Sequence, residues 1–270
     1  MKKNAETFKW RGKLFAAGSD AKTIKSQKVL SKSGKPFITA IMYLAPYDLS
    51  GVNVCPMAGS NAAGCAEGCL NSAGHGRFSN VQKARIAKTA FFNLDPKGFI
   101  DAMSSDIERF ASWAYKKGLE PVIRPNGTSD IRWERYGIIE QFPELQWYDY
   151  SKLHNRKGLP DNYHLTWSYS EATHAYAERF DAVTKTLNAA VVFKGKTLPK
   201  TFKGLPVLDG DKSDLRHLDP AGHVVGLLAK GKAKSDTSGF VVDTKETTAQ
   251  KMIRWGLATA EELGVSSYAL

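Results

Sequence analysis

The chain lacks any apolar stretch able to span a bilayer. Its longest apolar run, Phe37 to Ala45, contains Thr39 and is far shorter than a membrane helix requires. The basic start, MKKNAETFKWRGK, is not followed by the apolar core of a secretory leader. Cytoplasmic residence and no membrane partner are therefore expected, in a compartment where thiols stay reduced. Internal repeats and low-complexity segments are also missing, which argues against solenoid and tail-like architectures. Cysteine is scarce, with three in 270 residues, and an odd count excludes a complete disulfide framework. There is no unbroken basic run and no known nucleic-acid motif. The formal net charge of +11 nevertheless favours an anionic partner: nucleic acid, a nucleotide or an acidic protein.

What is present describes a folded protein with a real core, 42% hydrophobic and 11% aromatic. Residues 1–36 read as a basic N-terminal extension, irregular or a short hairpin, with Trp10 and Phe15 as anchors. Residues 37–270 read as a single α/β domain. FITAIMYL (Phe37 to Leu44) is a buried strand by its β-branched and aromatic content. Helical spacing follows from Asn80 to Asn93. Asp95-Pro96 opens a second helix that Gly118 stops. Further short apolar runs (EPVIRP, LQWY, YHLTW, AAVVF, LPVL, HVVGLLA) alternate in part with helical stretches, clearest over Glu171–Leu187, and a tail helix is expected near Thr247–Leu263. About seven buried strands predict a mainly parallel sheet, in the form of a partial or complete (β/α) barrel.

All three cysteines fall within CPMAGSNAAGCAEGCLNSAGHG, residues 55–76, with spacing C-x9-C-x3-C. The segment reads as a cysteine-rich, metal-binding loop leaving the first strand. On a helical turn Cys65 and Cys69 would share one face. An i,i+4 disulfide closes too short a loop to constrain much. One zinc ion would need a fourth ligand, for which His75 is available. A [4Fe-4S] cluster held by Cys55, Cys65 and Cys69 would leave one iron open for a small-molecule ligand. The small residues of the loop suit close wrapping and offer N–H groups to sulfide, so the cluster is favoured.

The other strands end in polar segments. A barrel would carry these to the rim where such folds place their sites. The candidate substrate- or cofactor-binding residues there are Arg124, Asn126, Ser129, Asp130, Asp149, Lys152, Ser168, Ser170, Glu171, Lys194, Asp209, Asp211 and Lys230. After the cysteines, Arg77, Lys83, Arg85 and Lys88 would offset cluster charge, with a solvated helix face as the plainer use of Lys83 and Lys88.

A three-cysteine loop after the first strand of a partial (β/α) barrel resembles the radical S-adenosylmethionine enzymes. That resemblance implies a [4Fe-4S] cluster whose fourth iron binds S-adenosylmethionine. The usual spacing there is C-x3-C-x2-C, and the glycine-rich acidic motif after the second strand is replaced here by NGTSD. A second resemblance covers nearly the whole chain from about Asp48. CPMAGSNAAGCAEGCLNSAGHGRFS, NGTSDIRWE, YDYSK, NYHLTWS, LDGDKSDLRHLDP and VVGLLAKGKAK are similar to the gene-product-88-like phage family. It implies a phage-encoded protein acting in the cytoplasm of an infected bacterium.

Three functions follow from the residues. The first is a radical-SAM-like enzyme. The second is a non-catalytic iron–sulfur module docking nucleic acid or a host protein, with Trp133, Tyr136, Trp147, Tyr148 and Trp167 available for stacking on bases. The third is a zinc hydrolase with Glu67 as base, which rests on that one carboxylate.

Overall fold

A computed structural model describes residues 12–18, 21–47, 49–59, 62–66, 68, 69, 71 and 74–265, the side chains of 21–23 excepted. Trp10, Asp48 and Glu67 lie outside the described residues. In chain order the elements are β1 (Phe15–Ala17), α1 (Ala21–Ser26), β2 (Phe37–Met42), α2 (Ser79–Leu94), α3 (Pro96–Lys116), β3 (Glu120–Arg124), β4 (Gln146–Ser151), β5 (Tyr163–Ser168), α4 (His174–Ala177), α5 (Phe180–Val183), β6 (Ala189–Phe193), β7 (Thr201–Phe202), β8 (Leu205–Asp209), β9 (Val224–Leu228) and α6 (Thr248–Arg254). No helix among the described residues is long and apolar enough to cross a membrane.

The strands form one nine-stranded sheet in the order β1-β2-β3-β4-β5-β6-β9-β8-β7. From β2 to β8 in that order every pairing is parallel, while β1 and β7 join antiparallel at the two ends. The architecture is mixed α/β, and the sheet is not closed into a barrel. Closure would need β2 to pair with β8 across the gap. Each of those strands has given its outer edge to a short antiparallel strand instead. Because β1 precedes it, the strand that leads into the cysteines is the second of the sheet.

Local sequence explains most elements. β2 is buried at all six positions, which permits an unbroken apolar run without polar alternation. The Asp95 side chain accepts from the Gly98 N–H at 2.9 Å and caps α3, with Pro96 in the first turn. Two helices are shorter than their sequences suggest. The stretch 171–187 breaks into α4 and α5, and the Tyr176 hydroxyl donates to the carbonyls of Lys152 (2.9 Å) and Ser168 (3.0 Å). α6 ends before Gly256, whose φ of +69° stops a right-handed helix.

The two faces of the sheet differ, as side chains alternate along each strand. Ala40, Met42, Ile123, Trp147 and Leu165 meet Phe99, Met103 and Ile107 of α3. Each of these three helix residues is fully buried, stabilising the fold by roughly 2 kcal/mol apiece. Trp167, Val191 and Phe193 continue this face beneath Tyr176 and Phe180 of α4 and α5. On the opposite face Phe37, Val122 and Tyr148 meet Val29 and Leu215. This face is polar where the segment after β8 crosses it. Asp214 binds Arg124 at 2.6 Å and accepts from Tyr148 (3.1 Å) and Tyr150 (3.2 Å). Arg216 pairs with Asp219 at 3.2 Å, and the His217 ring packs edge-on against Phe37 at 5.4 Å.

His217 links this face to pH. Burial pushes its ring down to about 4, with His164 and Arg216 acting in the same direction. The unfolded chain takes up that proton near the ordinary value of about 6.5. Between those two values the unfolded state binds more protons, so the His217 contribution to stability is lost as pH falls through this window. Urea denaturation at pH 7 and pH 5 should show a smaller acid-induced loss for His217→Phe than for the wild type. Equal losses in the two proteins would remove His217 from this account.

Candidate metal centre

Cys55, Cys65 and Cys69 are half-buried and not joined by a disulfide, in the segment between β2 and the 3-10 turn Gly74–Arg77. Short-range bonds shape it: Ala58 N–H to Cys55 O (3.0 Å), Ala63 N–H to Met57 O (3.0 Å), Ala66 N–H to Ala58 O (3.0 Å) and Cys69 N–H to Ala66 O (3.3 Å). These bonds close turns among the described residues. The stretch is also held from outside. Ser170 Oγ donates to Ala63 O at 2.7 Å and Thr173 Oγ1 to Ala62 O at 2.9 Å. The small residues allow this approach. A Cβ on Gly68 would stand 2.5 Å from the Phe240 ring, and one on Gly64 (φ +65°) 2.6 Å from the Ala172 methyl.

The three sulfurs share one electrostatic environment. Burial pushes the Cys55 thiol up to about 12, and Cys65, Cys69 and Asp130 reinforce the shift against a lowering bond from Tyr47. Burial also raises Cys65, where Lys152 opposes it. Cys69 is raised by burial too, and is eased by Asn71, whose N–H lies 3.5 Å from the sulfur, and by Arg85. Thiols in such surroundings stay protonated at neutral pH unless a cationic centre displaces the proton. Cys55 Sγ donates to Thr128 O at 3.5 Å.

Around them stand several buried polar groups. Asp130 accepts from Ser151 Oγ and from the Lys152 N–H, both at 2.8 Å, while its own N–H donates to Val54 O at 2.8 Å. The Lys152 ammonium donates to Tyr169 O at 3.3 Å and faces the Phe240 ring. Arg85 donates to Asn71 Oδ1 and lies over Tyr43 at 4.8 Å. Lys88, for which the sequence left open a charge-balancing role or a solvated helix face, is buried and donates to Leu14 O at 3.0 Å.

Asn126 organises the NGTSD loop. Its Oδ1 accepts from Ser129 Oγ (2.8 Å), the Ile131 N–H (3.0 Å) and Trp133 Nε1 (3.0 Å). Its Nδ2 donates to Ile131 O and to Asp149, each at 2.9 Å. Asp149 also accepts from the Asn126 N–H (3.0 Å) and the Tyr163 hydroxyl (2.8 Å). Burial raises Asp149 to about 7 even so.

The expected rim residues therefore divide. Asn126, Ser129, Asp130, Asp149 and Lys152 form one connected set beside Cys55 and Cys65. Arg124 is committed to Asp214. Glu171 is buried with Tyr169 and pairs with Lys251 at 2.7 Å. Ser168 contributes its carbonyl to Tyr176, and Ser170 its hydroxyl to the cysteine segment. Lys194 pairs with Asp243 at 3.0 Å, while Asp211 joins Lys230 and accepts nothing from the thiols; its N–H donates to Asp209 at 3.0 Å. Tyr43, Tyr176 and Phe240 escaped sequence reasoning, because nothing local marks an aromatic as the lining of a distant loop.

Lys152 and Arg85 are buried cations whose charges act on Cys65 and Cys69, and Arg85 Nε is buried without a partner. Among the described residues no group of three or more His, Cys, Asp or Glu side chains that could hold a metal ion is found, the three cysteines included. His75 is exposed and tilts against Phe78 at 5.8 Å.

The fold is thus mixed α/β, with three half-buried thiols in the segment that follows β2. The model of one family, gene product 88, matches residues 13–244, and the chain belongs to that family. Comparison with curated proteins and with solved structures returns no match.

Asn126→Ala deletes five side-chain hydrogen bonds and strands buried partners, Trp133 Nε1 among them. A loss of roughly 4 kcal/mol in urea denaturation is expected. A loss under about 1 kcal/mol would mean that the loop keeps its shape without this residue.

Proposed function

We propose that this phage-family protein is an iron–sulfur protein of the infected cell's cytoplasm, binding a [4Fe-4S] cluster through Cys55, Cys65 and Cys69. The observation that carries the reading is the mutual electrostatic effect of Cys55, Cys65 and Cys69, with the buried cations Lys152 and Arg85 acting on Cys65 and Cys69. Strands β2 to β6 follow one another in chain order, and α2 to α5 lie on one face of the sheet. That arrangement supports a partial (β/α) barrel of radical-SAM-like form. Bound there, a cluster with three protein ligands supplies an iron open to S-adenosylmethionine or a substrate.

The chain's own residues would do the rest. The thiols give up their protons on binding, Lys152 and Arg85 balance charge, and Asp130 fixes the end of β4 against the cysteine segment. Phe240, seated on Gly68, shields one side from water. The docking alternative draws on the net charge of +11. Four of the aromatics it offered for base stacking, Trp133, Trp147, Tyr148 and Trp167, are buried in the cores, and Tyr136 alone is exposed.

Anaerobic purification with iron and sulfide analysis tests the reading. About four irons per chain are expected, and Cys55→Ser, Cys65→Ser or Cys69→Ser should each lose most of them. A change in the EPR spectrum on adding S-adenosylmethionine supports the enzyme reading. An unchanged spectrum leaves the cluster and removes that chemistry. Zinc alone, from cells well supplied with iron, would sink the cluster assignment.

A further inference from the structure

On the face away from α2 to α5, strands β3, β4 and β5 carry polar side chains: Arg124, Tyr148, Tyr150, His164 and Thr166. Burying such groups is costly unless each polar atom finds a partner. Three of their donors meet on one carboxylate. Arg124 donates to Asp214 Oδ2 at 2.6 Å and the Tyr148 hydroxyl to the same oxygen at 3.1 Å. The Tyr150 hydroxyl donates to Oδ1 at 3.2 Å. A guanidinium and two phenols around two carboxylate oxygens form a recognition site for that planar, anionic group. Its occupant is the chain itself, 90 residues beyond Arg124.

The segment that brings Asp214 fits less well elsewhere. It leaves β8 after Asp209 and lies against β4 and β5 through the 3-10 turn Arg216–Leu218. Among the described residues both His217 ring nitrogens are buried without a hydrogen-bond partner, and so is Arg216 Nε. The strands beneath show the same deficit at Thr166 Oγ1, His164 Nε2 and Arg124 Nε. The remaining charges of the segment are matched, Arg216 with Asp219 and Asp211 with Lys230. Docking is therefore favoured at Asp214 and disfavoured at the imidazole and guanidinium atoms that water would satisfy on release.

We propose that Arg124, Tyr148 and Tyr150 form a binding site for a small-molecule carboxylate, which the segment 211–219 closes with Asp214 in the ligand's place. In the exchange the ligand takes the three donors as the segment leaves the sheet, and no covalent bond changes. The site is independent of what the cysteines bind.

The closure is tested on the whole chain at pH 7 by thiol labelling, each position read by peptide mass spectrometry. Leu215, 1% exposed, lies in the segment, and Val122, 0% exposed, lies on β3 in the same cluster. Leu215→Cys should label at least about tenfold faster than Val122→Cys, because the segment opens without the sheet. Equal rates would make the segment part of one cooperative core and overturn the closure. Sodium acetate, compared with sodium chloride at equal ionic strength, probes the site. Asp214→Ala should melt higher in acetate, with saturation, while Asp214→Ala combined with Arg124→Gln should not respond. A folded Asp214→Ala indifferent to acetate would overturn the carboxylate site. Should that variant fail to fold, acetate should speed the labelling of Leu215→Cys at least about twofold in the otherwise unchanged chain, and an unmoved rate would overturn it.

Discussion

The hydrogen-bond junction at Asn126 and Asp149 is the joint between the sheet and the cysteine segment. Asn126 follows β3 and Asp149 lies within β4, so their contacts tie two strands together near their C-terminal ends. The same amide fixes the loop from Ser129 to Trp133, and that loop carries Asp130. Asp130 then reaches both ways, by its N–H to Val54 next to Cys55, and by its carboxylate to Ser151 and Lys152. A buried polar network of this kind stabilises only when its members are satisfied, which makes it rigid and specific. The position of Cys55 relative to Lys152 is inherited from it.

A second constraint is the electrostatics of burial. The cysteine region holds thiols pushed towards their neutral form and cations given few partners. On the far face of the sheet the charges are matched, Arg124 with Asp214 and Arg216 with Asp219. That face is strained by burial as well, since polar atoms of Arg124, His164, Arg216, His217 and Asp219 are buried without hydrogen-bond partners.

Packing is a third constraint. The described residues from Cys55 to Cys69 form turns, held from outside by Ser170, Thr173 and the Phe240 ring. These residues lie about a hundred positions or more along the chain from the sulfurs. The segment is shaped by what surrounds it, so each thiol's place depends on strands that are completed much later in the sequence.

The sequence by itself determined the buried strands, because runs such as FITAIM and AAVVF carry their burial in composition. It likewise determined the start of α3 through Asp95-Pro96, the grouping of the three cysteines, and the motifs shared with the gene product 88 family. It also pointed to Arg85 as a charge beside the cysteines and to Asn126, Asp130, Asp149 and Lys152 as polar strand ends. Tertiary structure alone decided which of those ends meet. Lys194, Asp209, Asp211 and Lys230 have the same local character as Lys152, yet they are spent on surface pairs, because strand order and side-chain direction are global properties. The open sheet was decided there as well: β1 and β7 are too short to announce themselves, and their pairing takes the edges that a closed ring would need. Solvation divides the two kinds of knowledge. A residue type states what a group can do, and only its neighbours in space set the water, charge and partners that make it do so.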